Sequence, residues 1–153
     1  MPLGERPDTV PTLAAWLFEQ WGYFHDHDSV ERRIQELNER LQTHELPVAF
    51  VALSSGAPEA EPIGTASLTP DDLETRPDLT PWLASVFVRA ENRRSGVGAA
   101  LVHAVVAHAR LLRVETLYLF TEDRADFYES LGWSLVGPEV YRGHPVIVMK
   151  IAP

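Results

Sequence analysis

The stretch Arg93-Arg94-Ser95-Gly96-Val97-Gly98-Ala99 joins WLASVFV at 82–88 to AALVHAVVAHARLL at 99–112, and the reading of this junction decides the fold. The segment before it is apolar at nearly every position, the pattern of a strand buried on both faces. The segment after it is rich in Ala, Leu and Val over about four turns, which predicts a helix with a buried face. Between them, two glycines let backbone approach a ligand closely. The helix start leaves N–H groups unpaired, its dipole favours an anion, and paired arginines add charge-assisted contacts. A bare RxxGxG most often only begins a helix. Here strand, glycine loop, basic pair and helix stand in the order an anion site requires, so anion binding is the expected reading.

Working outward, residues 9–21 place apolar side chains at three- and four-residue steps and predict an amphipathic helix with Pro11 in its first turn and Gly22 at its end. VERRIQELNERLQTH at 30–44, capped by Ser29, predicts a second. Residues 48–53 and 63–68 are β-type runs joined by SSGAPEAEP and read as a hairpin with a long turn, followed by a polar, proline-rich connection at 69–81. Residues 116–121 form a further strand, 123–131 a short helix ended by Gly132, and 134–140 and 145–151 two antiparallel strands joined through YRGH. The order ααβββαβαββ implies an α/β chain: one domain, 1–153, with a mixed sheet flanked by helices.

Composition narrows the function. A chain of 153 residues with 45% hydrophobic content buries enough surface to need no metal or disulfide staple. It has no cysteine, which excludes thiolate metal sites and a cysteine nucleophile, and inclines the expected location to the cytoplasm. The N-terminal run makes a poor signal peptide, and no window is apolar enough to span a membrane. The net charge of −9 argues against nucleic acid and anionic lipid as partners and favours a cationic one. That charge is uneven: residues 1–47 hold nine acids against four arginines, whereas 85–113 hold five arginines against Glu91 alone.

Three phosphate ligands compete for the basic loop. A nucleoside-triphosphate loop needs GxxxxGK with Ser or Thr, and the lone lysine is Lys150, far away. A dinucleotide fingerprint begins at Gly96 and Gly98 but has Leu101 where a third small residue belongs. The third reading comes from resemblance. From 82 to about 149 the sequence resembles the GNAT superfamily of acyl-CoA-dependent N-acyltransferases, with Arg93, Gly96 and Gly98 in register with its R/Q-x-x-G-x-G/A motif. Phe127-Tyr128-Glu129-Ser130-Leu131-Gly132-Trp133 is similar to that family's FYEKLGF segment.

The resemblance implies a GNAT-like fold and acetyl-CoA as the ligand. It implies that Arg93, Arg94, Ser95, Gly96, Val97, Gly98 and Ala99 hold the CoA pyrophosphate, and that Val86, Phe87 and Val88 bond the pantetheine arm as an added strand. A nearby backbone N–H would polarise the thioester carbonyl. Tyr128 matches the tyrosine that protonates the departing sulfur, a sensible pairing for a phenol near ~10 and a thiol near ~8.5. Two positions depart from the family pattern: Thr121 stands where many relatives have Asn and can donate one hydrogen bond to the cofactor, and Arg124, expected to face solvent, stands where they have Ala.

The implied reaction moves an acetyl group to a primary amine, of a small molecule or a peptide N-terminus, by direct attack in a ternary complex. The two early helices border the acceptor pocket in this family, and Glu19, Trp21, Phe24 and Trp82 are the expected acceptor contacts. The amine must shed a proton, and Glu19, His25, Asp26, His27, Glu122 and Asp123 are candidate bases that the sequence does not separate. HDHD at 25–28 lacks a third ligand at metal spacing and reads as structural or surface. His103 is expected on an exposed helical face and His108 on a partly buried one. Two other readings stay open: a non-catalytic acyl-CoA sensor and, more distantly, a dinucleotide enzyme. A homodimer is a state the resemblance allows, although no residue marks an interface.

Overall fold

The structure, a computed structural model, describes residues 1–153. Helix α1 (Val10–Trp21) buries Val10, Leu13, Ala14 and Leu17 on one face and carries Pro11 in its first turn, where a missing N–H loses no helical bond. Helix α2 (Val30–Glu39) starts at Ser29, whose Oγ accepts the Arg32 N–H at 3.0 Å, a cap worth about 1 kcal/mol. It stops well before residue 44. The Arg40 N–H turns back to the Leu37 carbonyl, and the Arg40 guanidinium donates to the hydroxyls of Ser67 (3.0 Å) and Ser85 (3.5 Å) in the sheet.

Six strands follow in one sheet: β1 (Val48–Leu53), β2 (Pro62–Thr69), β3 (Trp82–Val88), β4 (Leu117–Thr121), β5 (Ser134–Tyr141) and β6 (His144–Ile151), ordered β1-β2-β3-β4-β6-β5. Helix α3 (Val97–Leu111) supplies the crossover that the parallel pair β3–β4 requires, and α4 (Ala125–Ser130) follows β4. Helix α3 begins two residues earlier than the sequence suggests because Gly96, not a later residue, caps it.

Both sheet faces are covered, which explains why β1 is apolar throughout. Val48 and Phe50 pack under α3 with Leu68, Leu101, Val105 and Leu119, while Ala49 and Val51 pack against α1 and α2 with Leu13, Leu17 and Leu37. A third cluster joins Phe24, Leu73, Trp82 and Tyr141 beneath β4 and β6. His108 is partly buried with Nε2 3.0 Å from the Thr43 carbonyl oxygen, and His103 is exposed, as their helical positions suggest.

The central feature is a parting of the sheet. Strands β3 and β4 share one register pair, Trp82 with Tyr118, and separate beyond it. Opposite β2, Thr65 pairs with Phe87 and Ser67 with Ala84, so Ser85 and Val86 together face Ala66: a bulge, with Ser85 at φ 56°. Bulges bend a strand and increase its twist. The expectation that β3 is buried on both faces therefore holds only for Trp82, Leu83 and Ala84, while 85–88 border the parting and are partly exposed.

Candidate active site

The parting of β3 from β4 opens a cleft of about 990 Å³, at the upper end of the usual range for ligand sites. At one end lies the glycine loop. Gly96 adopts φ 86° and starts α3 without any side-chain cap, so the first-turn N–H groups have no side-chain acceptor. A Cβ placed on Gly96 would meet nothing within 4 Å, so this backbone faces open space. Arg93, Arg94 and Arg124 stand on the cleft wall, and none forms an ion pair. Arg93 Nε donates to the Val88 carbonyl at 3.0 Å with its guanidinium 5.6 Å from the Phe87 ring centre. Open backbone donors beside uncompensated arginines fit the phosphates of CoA.

Of the residues expected to hold that cofactor, Val86, Phe87, Val88, Arg93, Arg94, Gly96, Gly98, Ala99 and Thr121 line the cleft. Ser95 and Val97 do not. The Ser95 hydroxyl donates to the Asn92 carbonyl, and Val97 packs on the core. Thr121 has a structural duty as well: its Oγ1 accepts the Arg124 N–H at 3.0 Å and anchors the start of α4. Arg124 is exposed yet belongs to the cleft, lying 4.8 Å over the Phe127 ring.

Tyr128 reaches the cleft from α4, packed between Phe127 and Trp133 at ring distances of 5.0 and 6.1 Å. It is 8% exposed, and no protein group hydrogen-bonds its hydroxyl. Burial pushes the phenol up to about 12, against a weaker opposing pull from Arg124. At neutral pH it holds its proton, as an acid must.

Gln20, Trp21, Tyr23, Phe24 and His25, from the end of α1 and the turn after it, also wall the cleft. Trp21 and Phe24 thus line the cleft, whereas Glu19 is exposed on α1 outside it. Trp82 is 1% exposed, donates its indole N–H to the Leu79 carbonyl at 2.7 Å, and borders an adjoining polar chamber of about 400 Å³ rather than the cleft. Strand pairing at its register position buries it. Of the candidate bases, His25, Glu122 and Asp123 reach the cleft; Asp26 and His27 are exposed outside it. The Tyr23 hydroxyl donates to Glu122 at 2.9 Å, and burial together with that carboxylate pushes the phenol up to about 12. His25 sits 3.3 Å from the Tyr141 hydroxyl; burial, then the nearby Arg142, Arg32 and Arg33, hold its imidazole below the ordinary value.

Sequence reasoning missed four residues here: Arg33, Arg40, Asp72 and Tyr141. Arg33 and Glu36 on α2 and Arg40 at its C-terminal cap follow at steps of three and four, a stripe that the sequence carries. Arg33 is clamped by buried Asp28, with Nε and Nη2 donating to Oδ2 at 3.0 and 2.8 Å. Burial opposes the Asp28 charge, but these hydrogen bonds outweigh it and hold the carboxyl below its usual range. Asp72 and Tyr141 line both the cleft and the polar chamber. No helix is long and apolar enough to cross a membrane.

Residues 10–133 match the model of the Acetyltransferase (GNAT) family. No curated protein matches the chain in sequence. Among solved structures, the chain is similar to ribosomal-protein-alanine N-acetyltransferase from Brucella melitensis, with 21% identity over 96% of each chain and a TM-score of 0.71. It is also similar to an aminoglycoside 6'-N-acetyltransferase complexed with coenzyme A, at 18% identity over 95% of this chain and 89% of that one, TM-score 0.69. A GNAT-family acetyltransferase of Staphylococcus aureus Mu50 shows 14% identity over 95% and 93%, TM-score 0.67.

Proposed function

Because this chain belongs to the acetyltransferase (GNAT) family, whose acyl donor is acetyl-CoA, we propose that it acetylates a primary amine, of a small molecule or a peptide N-terminus, by direct attack with both substrates bound. The observation that carries this reading is one cleft joining three elements: an anion cradle, a protonated tyrosine with a free hydroxyl, and an aromatic and acidic wall. Bound acetyl-CoA supplies an activated thioester carbonyl and a sulfur leaving group.

In this reading the α3 N-terminus with Arg93 and Arg94 holds the pyrophosphate. The second half of β3, unpaired on its β4 side, offers backbone at Val86, Phe87 and Val88 to the pantetheine arm. Tyr128 holds the proton for the departing sulfur, and burial keeps it there until that charge develops. Trp21, Tyr23 and Phe24, with Glu122 and Asp123, suit a cation. The names of two structural neighbours span the two acceptor classes, an aminoglycoside and a protein alanine.

Replacing Tyr128 with Phe tests the assignment. Free-thiol release should fall by about 10²–10⁴-fold, while CoA affinity by calorimetry stays as in the unmodified chain. Unchanged turnover would remove Tyr128 from the mechanism. CoA binding without turnover of any amine would favour an acyl-CoA sensor instead.

A further inference from the structure

Asp72 lies in the connection between β2 and β3, where the cleft and the polar chamber meet. Its carboxylate has no hydrogen bond or ion pair within the protein. The one fully buried side-chain atom lacking a partner is Trp133 Nε1, so the Asp72 oxygens keep surface, and that surface opens into the two cavities. A half-buried carboxylate with free lone pairs on a reaction cleft is a group with an unmet partner.

We infer that Asp72 accepts the proton from the acceptor amine, with the polar chamber behind β3 bringing that amine to it. This inference rests on the acetyltransfer reading above. An ammonium acceptor gives one proton to Asp72 and exposes its lone pair. The N–C bond then forms as the C–S bond breaks, and the sulfur takes the Tyr128 proton. The second amine proton, released as the amide forms, restores the Tyr128 hydroxyl through solvent, and Asp72 returns its proton to bulk water.

The surroundings suit this duty. Arg32, Arg33 and Glu36 from α2 and Arg40 just past its end line the chamber with Asp72, as do His25 from the turn after α1, Tyr141 from β5, and Asp71, Glu74 and Arg76 from its own connection. Burial pushes the carboxyl up to about 7; Arg40 and then Arg33 pull it back, and Glu36 adds to the rise. A base is most effective when its pKa lies near the working pH. Glu122 is engaged by Tyr23, whereas Asp72 is free.

The test is the pH profile of kcat/KM, read by thiol release with n-butylamine, spermidine and alanyl-alanine amide as probes. In the unmodified chain the rate should rise with pH through a midpoint near 7, as Asp72 loses its proton. Asp72→Asn should lower kcat/KM at pH 7.5 by about 10²-fold or more, lose that acidic limb, and leave CoA affinity unchanged. His25→Gln should keep the limb. Turnover by Asp72→Asn with the limb retained would overturn the inference alone. Absence of turnover by the unmodified chain with every probe would overturn the acetyltransfer reading, and this one with it.

Discussion

Gly96 stands at φ 86°, a left-handed conformation that costs an L-residue roughly 1–2 kcal/mol. Because a Cβ there meets no protein atom, a valine would strain the loop and fill ligand space without colliding with the core. Gly96→Val should therefore weaken CoA binding at least about tenfold, or 1.4 kcal/mol, while lowering Tm by only a few degrees. Calorimetry and a thermal melt measure the two separately; unchanged affinity would show that the loop is not the cradle. The roles proposed for Gly96 and Tyr128 were legible in the sequence because each sits within a short run that carries the family resemblance. Asp72 was not. Its importance comes from Arg33 and Arg40, more than thirty residues earlier, and from a cavity that exists only once the sheet has parted.

Helix α4 has six residues and is too short to persist without outside support. Thr121 provides that support by accepting the Arg124 N–H, so a local hydrogen bond holds the element that carries Tyr128. Thr121→Val keeps the shape and removes the acceptor, and should cost about 1 kcal/mol. For a chain of this size that is a Tm drop of about 2–4 °C. Because the anchor fixes Tyr128, kcat should fall more than CoA affinity does, and Thr121→Ser should restore both. A Thr121→Val protein with unchanged Tm and kcat would refute the anchoring role. At this scale the strand–loop–helix unit from β3 to α3 was readable because its determinants are contiguous. The end of α2 and the half-exposure of β3 were not, since Arg40 reaching Ser67 and Ser85 and the bulge at Ser85 are decided by tertiary contact.

Across the whole molecule, order of elements and alternation of apolar faces made the mixed sheet legible, whereas the depth at which Trp82 is buried depends on its pairing with Tyr118. The uneven charge along the chain has become, in three dimensions, uncompensated Arg93, Arg94 and Arg124 around the cleft of a molecule with net charge −9. The two fields act over different ranges. At about 0.01 M salt the screening length is roughly 30 Å, so an approaching polyanion such as CoA meets the repulsion of the entire molecule. Near 0.1 M it shortens to about 10 Å, which hides distant acids while the arginines still act at the mouth. Near 1 M, at about 3 Å, their pull is lost too. Stopped-flow tryptophan fluorescence should thus record the fastest CoA association at intermediate ionic strength; a steady decline from the lowest salt onward would mean that the arginines alone govern the encounter.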